Sequence, residues 1–217
     1  MSRHSDLQRV LDLGLVAIIR APSGDQLVQV AEALYAGGID VIEITFTVPR
    51  ALEVLSEVSR RLGKKILLGA GTVLDAETAR AAMLAGAEFI VTPAVRPAVI
   101  EICNRYDKVV MSGAYTPTEV LHAWECGSDI VKVFPAELGG PAHLKALAGP
   151  FPQIRLLPTG GVNLNTMSEF VKAGAAAVGL GSSLVTREHL AQSDFAAMQK
   201  LAQAYVAKMR EVRGLPA

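Results

Sequence analysis

The sequence predicts an α/β fold: a (β/α)8 TIM barrel with an extra N-terminal helix, formed as one domain over residues 1–217. Three observations predict it. Eight short apolar runs alternate with longer amphipathic stretches, and no Ser- or Pro-rich linker interrupts them. Two of the runs carry a charged residue at their centre. Glycine-rich segments follow the last two.

The alternation calls for a parallel sheet, since each strand returns through a helix. The candidate strands are Leu15–Ile19, Val41–Thr45, Ile66–Ala70, Phe89–Thr92, Val109–Ser112, Ile130–Phe134, Ile154–Pro158 and Ala177–Gly181. From Arg20 to Gly181 the seven repeats leave about 23 residues per unit, short but enough for a strand and its helix. A count of eight favours a closed barrel over an open doubly wound sheet. Helical periodicity fills Gln26–Tyr35, Ala51–Leu62, Ala76–Ala85 and Leu164–Ala173. Asp75 and Asn163 stand where N-caps belong. Asp6–Leu13 is left over to plug the bottom of the barrel, and Asp194–Val212 to form the last outer helix.

Composition narrows the function. The chain is 51% hydrophobic and 19% charged, which suits a packed interior rather than disorder. Twenty-one basic residues balance twenty-one acidic ones, so no field draws in nucleic acid or an anionic membrane. No run of about 18 apolar residues could span a bilayer. The start, MSRHSDLQRVLDLG, lacks a signal peptide's apolar stretch, and a cytoplasmic protein is expected. Cys103 and Cys126 form no CxxC and suit a reducing compartment. His4, His122, His143 and His189 have no metal-ligand spacing, so neither a metal centre nor a Ser-His-Asp triad is expected. Gly69-Ala70-Gly71 begins a dinucleotide fingerprint, but Leu74 stands at the third glycine.

The charged strand residues point to chemistry. Side chains of a barrel strand alternate between lumen and helix layer. If Lys132 points inward, Val131 and Val133 face the helices. Desolvation there favours the neutral, nucleophilic amine. The same alternation aims Glu43 inward, with Ile42 and Ile44 outward, as a proton shuttle or an ion-pair partner of Lys132. Arg20 ends the first strand, where a guanidinium reaches the mouth and suits a carboxylate or phosphate. Pro158-Thr159-Gly160-Gly161 and Gly179-Leu180-Gly181-Ser182-Ser183 end strands seven and eight. Glycines there let backbone N–H groups and helix N-termini approach a phosphate, and a serine adds a donor.

Together these residues resemble the 2-keto-3-deoxy-6-phosphogluconate (KDPG) and 4-hydroxy-2-oxoglutarate (KHG) aldolase family. The resemblance rests on Ile42-Glu-Ile-Thr, Gly69-Ala-Gly-Thr-Val, Phe89-Ile-Val-Thr-Pro, Thr116-Pro-Thr-Glu, Lys132-Val-Phe-Pro-Ala-Glu, Gly149-Pro-Phe-Pro, Pro158-Thr-Gly-Gly-Val and Gly181-Ser-Ser, in that order. It implies a cofactor-free class I aldolase, a homotrimer, acting on a small 2-oxo acid with pyruvate as product. In that resemblance Lys132 matches the Schiff-base lysine and Glu43 the general acid/base. Arg20, Thr72 and Pro93 match the 2-oxo acid pocket, and Gly160, Gly161 and Ser182 the phosphate site. Many members carry an arginine four residues after the glutamate; here that position is Thr47, which gives Arg20 more weight. KDPG is the expected substrate, with KHG or the galactonate epimer as alternatives. A phosphosugar isomerase or synthase barrel that forms no imine is the rival class.

Overall fold

The computed structural model describes residues 2–215. The strands are β1 (Leu15–Ile19), β2 (Val41–Thr45), β3 (Leu67–Gly71), β4 (Phe89–Val91), β5 (Val109–Ala114), β6 (Ile130–Val133), β7 (Leu156–Pro158) and β8 (Val178–Leu180). They form one parallel eight-stranded sheet in the order β7-β6-β5-β4-β3-β2-β1-β8. Single parallel bridges, Leu156 to Ala175 and Thr159 to Gly179, close β7 onto β8. The (β/α)8 barrel is thus the observed fold.

The helices are α1 (Arg3–Leu13), α2 (Leu27–Ala36), α3 (Ala51–Leu62), α4 (Ala76–Leu84), α5 (Pro97–Arg105), α6 (Pro117–Glu125), α7 (Gly140–Ala148), α8 (Met167–Lys172), α9 (Arg187–Gln192) and α10 (Phe195–Arg213). Asp75 caps α4 by accepting from the Thr78 N–H. Asn163 is not the N-cap of α8. Its Oδ1 accepts from the Asn165 and Thr166 N–H groups, building a capped turn ahead of a helix that starts only at Met167. The short helix α9, between β8 and α10, is absent from the sequence expectation. Strand β3 runs one residue later than expected because Gly71 still pairs with Thr45.

Apolar side chains divide into two cores. The outer one lies between sheet and helices and includes Ile42, Ile44, Val131 and Val133. The inner one fills the lumen with Val16, Ile18, Val41, Leu67, Phe89, Val91, Val109, Met111, Ile130 and Leu157. Val10 of α1 belongs to this inner core, with Leu7, Leu11 and Leu13 packed against it. The N-terminal helix therefore plugs the barrel, as its leftover position predicted. Arg213 ties the last helix to this end by donating to the Leu11, Asp12 and Ala176 carbonyls. A sealed bottom leaves the carboxyl ends of the strands as the open face, where barrels place their sites.

Candidate active site

Glu43 and Lys132 interrupt the inner core. Their neighbours in sequence, Ile42, Ile44, Val131 and Val133, lie in the outer core, so alternation turns both charges into the lumen. Glu43 is 1% exposed and Lys132 3%. Glycines give space to Glu43 and to the loop beside Lys132. Gly71, beside Thr45 in the register, stands where any Cβ would overlap the Glu43 carboxylate. Gly113 pairs with Lys132 and lets the Pro93 backbone close over it. The Thr92 hydroxyl fixes that loop, donating to the Ala94 carbonyl at 2.7 Å and accepting from the Gly113 N–H at 3.1 Å.

The two buried charges form no direct salt bridge among the described residues. Glu43 Oε1 is buried with no hydrogen-bond partner. Burial pushes the Glu43 carboxyl up from its ordinary value of 4.5, while the charges of Lys132 and Arg20 pull it back. The Lys132 ammonium lies 5.5 Å from the centre of the Phe134 ring. An unpartnered carboxylate oxygen in apolar surroundings is costly unless something else occupies its lone pairs. A simple structural ion pair would leave no such orphan.

Above this lumen opens a cavity of about 1050 Å³. Arg20, Gly160, Gly161 and Ser182 line it together, with Thr47 and Arg187. Arg20 is exposed and makes no hydrogen bond or ion pair among the described residues. Gly160 and Gly161 have φ of 97° and 70°, a left-handed turn that glycine adopts without strain. The two serines after Gly181 differ. Ser183 donates to the Val162 carbonyl at 2.7 Å, tying the β8 loop to the β7 loop. Ser182 is exposed, and no hydrogen bond engages its hydroxyl among the described residues.

Two site residues lie elsewhere. Thr72 follows β3 and Pro93 follows β4, across the mouth from β7, β8 and β1, and neither lines the cavity. Thr72 has φ of 58°, an uncommon conformation for a β-branched residue. The helix contribution to the expected phosphate site also differs from expectation. Helices α8 and α9 begin at Met167 and Arg187, several residues beyond the glycines. Loop backbone, and not a helix N-terminus, therefore borders the cavity at Gly160, Gly161 and Ser182.

Sequence reasoning left two residues without a role. Glu137 lies against Gly160 and Gly161, whose added Cβ atoms would overlap or crowd it. Thr159 is buried, lines the cavity, and its hydroxyl has no partner. Its place between Pro158 and the glycine pair was the available signal.

A parallel barrel with a buried lysine and carboxylate below an open cavity can host imine chemistry, and the chain is a class I aldolase, a carbon–carbon lyase, by its family. The profile described as "Aldolase: KDPG and KHG aldolase" matches residues 7–201, and the chain belongs to that family. It is 37% identical over 198 residues to 2-dehydro-3-deoxy-phosphogluconate aldolase of Treponema pallidum, covering 91% of this chain and 92% of that protein. It is 35% identical over 173 residues to 2-dehydro-3-deoxy-6-phosphogalactonate aldolase of Escherichia coli, covering 79% of this chain and 84% of that protein. Among solved structures it superposes with a TM-score of 0.82 and 30% identity on KDPG aldolase from Legionella pneumophila, captured with pyruvate as a covalent carbinolamine. That match covers 88% of this chain and 92% of the other.

Proposed function

We propose that the protein reversibly cleaves KDPG to pyruvate and glyceraldehyde 3-phosphate, with Lys132 as the amine and Glu43 as the proton carrier. The observation that carries this reading is the lumen pair: a buried lysine and a buried carboxylate with an unpartnered oxygen and no salt bridge between them. The Lys132 amine adds to the C2 carbonyl to give a carbinolamine, which loses water to an iminium. Glu43, directly or through a water, takes the C4 hydroxyl proton. The C3–C4 bond then breaks, the aldehyde leaves, and the iminium accepts the electron pair as an enamine. Protonation at C3 and hydrolysis release pyruvate and restore the amine. Burial keeps the Glu43 proton affinity above that of an ordinary carboxylate, which suits a group that must both take and return a proton.

Arg20, Gly160, Gly161 and Ser182 hold the phosphate and other anionic groups. Thr72, next in the chain to Gly71, and Pro93, whose backbone packs on Gly113, border the 2-oxo acid end. The reaction needs no metal or organic cofactor. The chain acts as one domain, as a homotrimer in the cytoplasm. The same chemistry on KHG or on the galactonate epimer is the second reading, favoured by relatives bearing those names. Borohydride reduction in the presence of pyruvate tests the imine: a pyruvate-derived adduct on Lys132 is expected. Its absence would move the protein to the phosphosugar isomerase or synthase class. Pyruvate release from KDPG, its galactonate epimer and KHG then ranks the substrates.

A further inference from the structure

Thr47 is exposed, carries a hydroxyl, and lines the cavity that also contains Arg20, Gly160, Gly161 and Ser182. The polarity of that hydroxyl is fixed from behind. Thr45, fully buried at the end of β2, sits 3.2 Å from the Ile19 carbonyl and 2.7 Å from Thr47 Oγ1. A carbonyl can only accept, so the single Thr45 proton goes to Ile19. Both bonds exist together only if Thr47 donates to Thr45. The Thr47 proton is then spent, and lone pairs alone remain for a ligand in the cavity.

Arg20 and the glycine loop after β7, which line the same space, offer the opposite. The Arg20 guanidinium and the loop N–H groups at Gly160 and Gly161 are donors, suited to anionic oxygens. Thr47 is suited to a ligand hydroxyl. On the proposed KDPG reading, the chain between the reacting C4 and the terminal phosphate carries one such group, the C5 hydroxyl. In KHG the same carbon is a carboxylate, which would set lone pairs against lone pairs.

We propose that Thr47 is a specificity-determining residue that accepts a hydrogen bond from the C5 hydroxyl, selecting phosphorylated polyhydroxy 2-oxo acids over dicarboxylates. This rests on the aldolase reading above. Thr47 would have to abandon Thr45 to donate to a carboxylate, so the preference is anchored in the Ile19 carbonyl of β1 through the Thr45 side chain of β2, and not in the rim loop alone.

The test holds the phosphate constant and varies only the hydroxyl. In the synthetic direction, pyruvate is condensed with glyceraldehyde 3-phosphate or with 3-oxopropyl phosphate, which lacks the hydroxyl that becomes C5. Thr47→Val should lower kcat/KM for glyceraldehyde 3-phosphate by about tenfold, the loss of one well-formed hydrogen bond, and lower it for 3-oxopropyl phosphate by less than about twofold. Thr47→Ser, which keeps the hydroxyl, should preserve the wild-type discrimination. Equal losses on both aldehydes, or no loss on either, would overturn the proposal. So would a serine variant that discriminates as poorly as valine. Failure of the aldolase reading looks different: the wild-type protein would condense neither aldehyde and trap no pyruvate.

Discussion

The lumen and the rim of this barrel handle charge in opposite ways. In the lumen, Glu43 and Lys132 sit within an apolar core at 1% and 3% exposure, and Gly71 on the neighbouring strand makes room for the Glu43 carboxylate. At the rim, Arg20 and Ser182 stand exposed around an open cavity, and left-handed glycines shape the backbone itself. Electrostatic effects are large where water is excluded and modest where it enters. The lumen is therefore where single substitutions should abolish chemistry. The rim should tune which substrate receives it.

Replacing Lys132 should have the largest effect. Lys132→Ala removes the amine, and Lys132→Arg supplies a guanidinium that stays protonated and forms no imine. Both should leave pyruvate release below detection and yield no borohydride adduct by mass spectrometry. Substantial turnover in either variant would remove Lys132 from the mechanism and with it the division between lumen and rim.

Glu43→Gln should slow cleavage by about 10²–10⁴-fold, the usual cost of losing a general acid–base. Exchange of pyruvate methyl protons with solvent, followed by NMR, should slow with it. The same variant should be more stable than the wild type at neutral pH. Burial raises the Glu43 carboxyl above its unfolded value. Its favourable contribution is thus complete below the ordinary value of 4.5 and is lost as pH rises through the raised one. Glutamine carries no charge to bury. A thermal melt in which the variant gains Tm at pH 7 but not at pH 4 would bear this out, while an equal Tm at both would mean Glu43 is paired in solution. Proton exchange at the wild-type rate would reduce Glu43 to a structural partner of Lys132.

These two residues were readable in the sequence for one physical reason: a strand's two-residue period makes an inward charge stand out between outward isoleucines and valines. The barrel was readable for the same reason, through eight such runs. The rim was readable only as a place. Gly160 and Gly161 announced a turn after strand seven, but Glu137 approaches them from the loop after β6, and no spacing rule connects the two segments. Thr47 carries its meaning through a bond to Thr45 and from there to Ile19, three positions whose contact depends on β1 and β2 being paired. The starts of α8 and α9 escaped because a capped turn at Asn163 and a turn at Gly181 precede them.

At the rim, Gly161→Ala should act through the backbone. Its φ of 70° is strained for any L side chain, and a Cβ there would lie 2.7 Å from Glu137 Cβ. Phosphorylated substrates should lose about tenfold or more in kcat/KM, because binding energy from the non-reacting phosphate supports the chemical step. KHG should lose much less, with circular dichroism confirming the fold. Equal losses on both would show that the glycines serve only the turn, and the unphosphorylated substrate would then move ahead.

The smallest effect separates two adjacent serines. Ser182 and Ser183 both line the cavity, and a sequence motif cannot tell them apart. Their hydrogen bonds can. The Ser183 hydroxyl donates to Val162 at 2.7 Å, and its own carbonyl accepts from the Tyr205 hydroxyl at 3.3 Å, so it braces the loops after β7 and β8. Ser182 has no such commitment among the described residues, which leaves its hydroxyl available to a phosphate oxygen. Ser182→Ala should raise KM for phosphorylated substrates about three- to tenfold, spare KHG, and leave Tm within about 1 °C. Ser183→Ala should lower stability by about 1 kcal/mol, a fall of about 2–4 °C in Tm for a chain of this size, with a smaller change in KM. The pair is best measured side by side, since each variant controls for the other's disturbance of the loop. If Ser183→Ala cost more KM and Ser182→Ala more Tm, the β8 loop would have to rearrange when substrate binds. The rim would then be shaped by its ligand, in contrast to a lumen whose geometry is fixed by packing.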